Sequence, residues 1–403
     1  MTARQLALTA LLNWQKDPQS HLEQHIKGNL PPKDLDLAYT ICRGVLKEKS
    51  FLKATIKRYL KKDKLPKATE TILLIAAYQR IFLTKIPNYA IISEAVKLAK
   101  QKSPAHASLV NAVLRNLDRD ITEGFDPNKQ DLSLSERYSH PQELIDLIND
   151  ETKDQALTEE ILIWDNARPK TFLRLKNGGH EECLDVKAAV NSPEFKRGEI
   201  YFMQLWSQSV ANAAPVKDGG KVLDLCAAPG GKSLALLDRA KIKLTACDLS
   251  EARLETLREN FARLGYANDP NVTITQLDAA EADKHFPPNS FDLVLLDAPC
   301  SSLGTIQRNP ELRWRFKIDQ LSEYAALQKS ILKAAQTLVA PQGHLLYAVC
   351  SFAKKEREAV DLLRQDKNWL LKEEKLTYPG EQNLFDGGYF ALFQKNELPR
   401  IPR

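Results

Sequence analysis

The chain has 403 residues, of which 43% are hydrophobic and 27% charged, with a formal net charge of +5. Two or three domains fit in that length, and the composition is that of a folded globular protein. No apolar run approaches the ~18 residues of a membrane-spanning helix, so none is expected. The six cysteines (Cys42, Cys183, Cys226, Cys247, Cys300 and Cys350) are scattered. They form no Cys-x-x-Cys pair and have no zinc-finger spacing, so no metal is expected. Scattered thiols and no recognisable export signal point to the cytoplasm, with the cysteines reduced.

The N-terminus, MTARQLALTALLNWQKD, reads as the first amphipathic helix of a folded domain. Helical spacing continues in Leu8, Leu11 and Leu12, then in Leu37, Ile41 and Val45, then in Val110, Val113, Leu114 and Leu117. Pro66, Pro87 and Pro104 sit where helices start or stop. Residues 1–125 are therefore read as an all-helical domain. Residues 1–134 carry 22 Lys+Arg against 13 Asp+Glu, whereas the remainder carries 35 against 39. A basic third on a near-neutral body suggests contact with a polyanion. In KATIKRYLKKDKLPK, Lys53, Lys57 and Lys61 recur every four residues. That is either a solvated face or a surface for a phosphate backbone.

Residues 126–215 are mixed and read as a connecting subdomain. HPQELIDLINDE looks helical, KTFLRLK looks like a short strand, and NGGHEE and DGGK are turns. From residue 216 to 403 the pattern is that of an α/β domain. The strands KVLDLC, KLTACD, VTITQLD, FDLVLLDAP and HLLYAVCS alternate with helices such as EARLETLRENFARLG and KEREAVDLLRQD, and GGYFALFQK closes with a strand. Such alternation predicts a parallel sheet covered on both faces.

In sheets of this kind ligands sit at the carboxyl ends of the strands, near the topological switch point. The first strand runs into LDLCAAPGGKS. Its ending resembles a P-loop, but Cys226 stands where the first glycine is required, and a residue with a Cβ does not freely take glycine's angles. The dinucleotide fingerprint fails as well, because no glycine precedes Gly230. The loop therefore reads as a close-approach loop for a ligand other than ATP or NAD. The remaining strands end at Asp248, Asp278, Asp297-Ala298-Pro299-Cys300 and Cys350. A single strand-end aspartate is usually a helix cap. Three in register beside this loop suggest a nucleoside ligand, with Asp248 accepting from ribose hydroxyls and Asp278 from an adenine amino group.

LDLCAAPGGKS, CDLSEARL, LLDAPCSSLGTIQRNPELRW and YAVCS, in that order, resemble the RNA 5-methylcytosine methyltransferases that use S-adenosylmethionine. The N-terminal IPNYAIISEAVKLAK and SLVNAVLRN resemble NusB, an all-helical RNA-binding module. The fusion is similar to a family that methylates cytosine in small-subunit (16S) ribosomal RNA. The resemblance implies a multidomain protein, with an all-α NusB-like domain and an α/β Rossmann-like S-adenosylmethionine-dependent methyltransferase domain. It also implies that Cys226, Ala227, Ala228, Pro229, Gly230, Gly231 and Lys232 line the methionine moiety, a part without phosphate. Asp248 would hold the ribose, Arg253 would lie near the cofactor, Asp278 would face the adenine, and Asp297 would sit between cofactor and base.

By the same resemblance Cys350 is the nucleophile and Cys300 assists product release, although the Pro-Cys cysteine is the nucleophile in the DNA enzymes. A thiolate suits the task, being both a good nucleophile and a good leaving group. Arg308, Arg313 and Arg315 follow the Pro-Cys motif and are candidates for phosphate contacts, or a solvated loop. The chain departs from the family pattern at Leu205, Ser302, Leu303, Val349 and Arg357. The expected partner is RNA, 16S rRNA before transfer RNA, and the expected state a monomer away from membranes. A rival reading is a non-catalytic RNA-binding assembly factor on a methyltransferase scaffold, against which the presence of both Cys300 and Cys350 argues.

Overall fold

The computed structural model describes all residues except 62–63, 177, 382–384 and 398–403. Lys62 and Asp63 of the lysine-rich stretch and Asn177 of the first glycine turn thus lie outside the described residues. The chain forms two compact units, Met1–Ala167 with Ile306–Phe316, and Arg168–Thr305 with Lys317–Arg403. The stretch 126–215 is shared between them and parts at Ala167. Among the described residues no helix is long and apolar enough to cross a membrane.

The first unit is helical. Ala3–Trp14 opens it, with a capping box between Thr2 and Gln5 that satisfies free N–H groups at the helix start. Pro32–Lys47, Lys67–Phe82, Asn88–Lys102 and Ala107–Thr122 follow, each beginning at or near a proline or after one short turn. Leu8, Leu11, Ile41, Val45, Val110, Val113, Leu114 and Leu117 are all buried in one core, as their spacing predicted. Gly44 lets two helices touch: a Cβ there would lie 1.9 Å from the ring of Tyr78.

The segment Ile306–Phe316 belongs to this unit and corrects one expectation. Arg313 neither points to solvent nor awaits a phosphate. It is buried and donates to the carbonyls of Lys47 (3.1 Å), Tyr138 (3.2 Å) and Asp165 (3.2 Å) and to Oδ1 of Asn166 (2.8 Å). Burial pushes its guanidinium down to about 10. Its neighbour Trp314 donates to the carbonyl of Leu46 at 2.6 Å. Arg315 donates to the carbonyl of Gln19 at 3.2 Å, and the carbonyl of Arg308 accepts from Arg43.

The second unit holds two sheets. A small antiparallel one has the order β2-β1-β3, formed by β1 (Phe172–Leu175), β2 (His180–Glu182) and β3 (Ile200–Phe202). The main sheet has seven strands: β4 (Lys221–Leu225), β5 (Lys243–Asp248), β6 (Val272–Gln276), β7 (Phe291–Asp297), β8 (Val339–Val349), β9 (Trp369–Thr377) and β10 (Gly388–Lys395). Their order is β6-β5-β4-β7-β8-β10-β9. The first five are parallel, but β10 runs antiparallel to both β8 and β9. The purely parallel sheet expected from the sequence is thus a mixed one. The expected helix KEREAVDLLRQD is broken into Lys354–Arg357, a 3-10 turn and Asp361–Arg364.

Both faces of the sheet are covered, which is why its central strands read as unbroken apolar runs. Leu293 and Leu295 of β7 face Leu234, Leu257 and Phe261, while Val294 and Leu296 face Ile331, Leu332 and Leu338. Each fully buried aliphatic side chain of this kind contributes roughly 1.5–3 kcal/mol. Consecutive strands are added outward from β4 to β6 on one side and from β7 to β8 on the other. The order therefore reverses between β4 and β7, and a crevice opens there at their carboxyl ends.

Candidate active site

The loop after β4 is held from several sides. Cys226 has φ 64°, in the left-handed region that the sequence reading reserved for glycine. The cysteine takes these angles at a cost. Such a conformation costs of order 1–3 kcal/mol and persists only where neighbours over-determine it. They do so here. The N–H of Ala227 donates to the carbonyl of Cys247 (2.7 Å), and that of Gly230 to the carbonyl of Ala227 (2.8 Å). Gly230 itself has φ 102°, and a Cβ there would lie 2.9 Å from the ring of Phe261. The short helix Gly231–Leu237 starts immediately after.

Asp248, at the end of β5, is buried and ties this loop to the next helix. Its Oδ2 accepts from the N–H of Ala228 at 3.2 Å and lies 3.3 Å from Nη1 of Arg253. Its Oδ1 accepts from the N–H of Ser250 at 3.1 Å. Arg253 donates to the carbonyl of Ala228 at 2.6 Å, and Asn260 to that of Pro229 at 3.0 Å. Asn260 was not singled out from sequence, since an asparagine on an amphipathic helix carries no signal. Asp278 caps a short turn, accepting from the N–H of Ala280 at 2.9 Å; this is the ordinary use of a strand-end aspartate.

Across the crevice, Nζ of Lys232 lies 2.6 Å from Oδ2 of Asp297. Burial alone would lower the lysine, but the Asp297 carboxylate, with Cys350 and Asp224 behind it, raises it overall. Beneath them Asp224 is pushed up to about 7 by burial, which the hydroxyl of Ser233 opposes. The rim is thus acidic, and its lysine is already neutralised. These donors and acceptors suit a nucleoside with free hydroxyls and a cationic centre, and would repel a triphosphate.

The next two strand ends bring the cysteines together. Sγ of Cys300 lies 3.3 Å from Sγ of Cys350, and Oγ of Ser302 lies 3.4 Å from Cys350 and 3.9 Å from Cys300. The pair splits in its acidity. Cys350 is lowered by its hydrogen bond from Cys300, whereas Cys300 is raised by the same bond and by burial. Burial pushes Cys42 and Cys247 up to about 12 and also raises Cys226. Those three are poor thiolates.

Glu356 was also missed. It is fully buried and accepts from the N–H of Ser301 (2.7 Å), the hydroxyl of Ser301 (2.5 Å) and Nε2 of Gln328 (3.2 Å). A glutamate in the stretch KEREAV reads as a solvated helix face, so the sequence carried no hint that it anchors the Pro-Cys turn.

Residues 212–397 match the family described as 16S rRNA methyltransferase RsmB/F, and residues 1–119 match the NusB family. A ribosomal RNA small subunit methyltransferase B from Vibrio cholerae is 30% identical over 402 residues, covering 90% of either chain. This chain belongs to the RsmB/F methyltransferase family. A probable ribosomal RNA small subunit methyltransferase B from Bacillus subtilis is 31% identical, over 89% of this chain and 87% of its own. Like other RsmB/F members the chain is an RNA methyltransferase, with a NusB-type helical domain before a Rossmann-like one. The fold agrees with solved structures. PH0851 superimposes with a TM-score of 0.75 at 22% identity, over 98% of both chains. A methyltransferase homolog from Pyrococcus horikoshii does so with a TM-score of 0.56 at 20% identity, over 65% of this chain and 97% of its own.

Proposed function

We propose that this enzyme transfers a methyl group from S-adenosylmethionine to carbon 5 of a cytosine in 16S rRNA, through a covalent adduct with Cys350. The observation that carries this reading is the pair of thiols 3.3 Å apart at the ends of adjacent strands, beside the Asp297–Lys232 pair. When bound, S-adenosylmethionine supplies the methyl group. Cys226–Lys232, Asp248, Arg253 and Asp278 would hold it, and Asp297 would lie between it and the base.

Carbon 5 of cytosine is a weak nucleophile until a thiolate adds to carbon 6. Cys350 forms that S–C6 bond, and the ring becomes enamine-like. After methylation the carbon 5 proton leaves to a base, the C5–C6 double bond re-forms, and the S–C6 bond breaks to return the Cys350 thiolate. Cys300, kept as a thiol beside it, assists this release. The base must leave its stack to reach the pair. The basic NusB-like region holds flanking RNA, although Lys53 is already paired with Glu70 at 2.9 Å. We place the reaction in the cytoplasm, with the protein a monomer.

The test is methyl transfer from labelled S-adenosylmethionine to unmodified 16S rRNA, followed by nucleoside analysis. Labelled 5-methylcytidine at one position is the expected result. Label in another nucleoside, or in transfer RNA alone, overturns the assignment. RNA binding without any label would favour the assembly-factor reading.

A further inference from the structure

We infer that Ser302 is a thiolate-stabilising residue, its hydroxyl donating to Sγ of Cys350 when that sulfur is ionised. The inference rests on the reading of Cys350 as the nucleophile and adds a residue to that site. Ser302 has φ 60°, a left-handed conformation that a residue with a Cβ adopts only at some cost. The turn around it is fixed by three bonds. Its carbonyl accepts from both the N–H and the hydroxyl of Thr305 (2.9 Å each), and the N–H of Gly304 donates to the carbonyl of Cys350 (3.0 Å). In the structure the Cys350 thiol donates to Oγ of Ser302 at 3.4 Å, so once the sulfur loses its proton the rotatable hydroxyl on that same oxygen is the group left to donate back.

The neighbours of Cys350 do not offer an equivalent donor. Val349 is buried and apolar. Ser351 is turned elsewhere, its Oγ accepting from Ser301 Oγ (3.1 Å) and from the N–H of Ala353 (3.2 Å). Cys300 lies within reach, but a thiol is a weak donor. Asp297 opposes ionisation of Cys350 and Lys232 favours it, and these two are paired with each other. Of these neighbours, the Ser302 hydroxyl is therefore the neutral oxygen group nearest the sulfur, at 3.4 Å, and it lies farther from Cys300, at 3.9 Å.

Two variants of the full chain separate hydroxyl from backbone. Ser302→Ala removes the hydroxyl and keeps the Cβ, whereas Ser302→Gly removes both and relieves the strain. The readout is iodoacetamide alkylation of Cys350 against pH, with the peptide carrying Cys350 quantified by mass spectrometry, without RNA or cofactor. Both variants are expected to raise the midpoint by about one pH unit, roughly a tenfold loss of thiolate near neutrality. The acid limb of the methyl-transfer rate should move with it. A midpoint unchanged in Ser302→Ala overturns the inference. So does a shift in Ser302→Ala that Ser302→Gly abolishes, since that would make the backbone the cause. Methyl transfer retained by Cys350→Ala would sink the nucleophile reading instead, and the alkylation result is independent of it.

Discussion

Replacing Glu356 by alanine should loosen the Pro-Cys turn and remove most of the activity. The magnitude follows from who loses a partner. Ser301 Oγ retains Ser351, and Gln328 Nε2 retains the carbonyl of Pro299 at 2.9 Å. The N–H of Ser301 has Glu356 as its partner and is stranded. One orphaned buried donor costs roughly 1–3 kcal/mol. Adding two weakened bonds and a small cavity, the loss in unfolding free energy should be about 2–4 kcal/mol. The effect on rate should be larger than stability alone implies. Ser301 lies between Cys300 and Ser302, so a shift of order 1 Å there misplaces both groups, and shifts of that size cost about a hundredfold. Glu356→Gln keeps an acceptor of the same shape and should recover much of both. The assay is urea unfolding in parallel with single-turnover methyl transfer. If Glu356→Ala is within about 0.5 kcal/mol of the parent and turns over normally, the anchoring argument is wrong.

Three further outcomes are expected. Arg313→Met should destabilise the helical unit by about 3 kcal/mol or more, because it leaves the buried acceptors of the guanidinium without that donor, whereas Arg315→Ala should cost well under 1 kcal/mol; equal thermal shifts for the two would contradict this. Asp224 is raised from 3.8 to about 7 in the folded chain. The folded state thus keeps a proton that the unfolded state has released, and stability falls as pH rises from about 4 through about 7. Asp224→Asn should flatten that decline, by at most a few kcal/mol, and urea midpoints that still fall in parallel with the parent would refute it. Lys232→Met removes a charge that favours the Cys350 thiolate and leaves Asp297 uncompensated. Both changes raise the acidity midpoint of Cys350, so the acid limb of the rate profile should move upward; a downward or absent shift counts against the arrangement.

The helical half and the parallel core of the sheet were legible because their signals are local. Apolar spacing at 3.6 residues marked Val110, Val113 and Leu117, and unbroken runs such as FDLVLLD marked strands buried on two faces. The edge of the sheet was not legible. β9 contains Lys372, Glu373, Glu374 and Lys375, charges that protect an exposed edge and hide the alternation of a strand. Arg313 was misread for the same kind of reason. It stands between Leu312 and Trp314 in a stretch that also carries Glu311 and Arg315, and only the return of Ile306–Phe316 to the helical unit supplies the carbonyls that bury it. At Cys226 the rule about glycine names a cost, and the bond from Ala227 to Cys247 holds the strained angle in place.

The strand-end residues named from sequence gather at one rim, and their geometry follows from register. β7 and β8 are adjacent and parallel, with Leu296 opposite Tyr347 and Asp297 opposite Ala348. The two strands therefore end level. Cys300 lies three residues beyond Asp297, and Cys350 two residues beyond Ala348. Two thiols fifty positions apart in sequence meet because neither strand can slip without turning its apolar set the wrong way. The same level ending places Asp297 next to the loop after β4, where the strand order reverses. The Asp297 carboxylate and the two sulfurs are thus brought to one rim by one pairing of strands. The turn after Cys300 then sets how that sulfur is solvated. Its anchors, Glu356 and the left-handed Ser302, lie far apart in sequence, and only the fold shows that Glu356 holds the turn that carries Ser302.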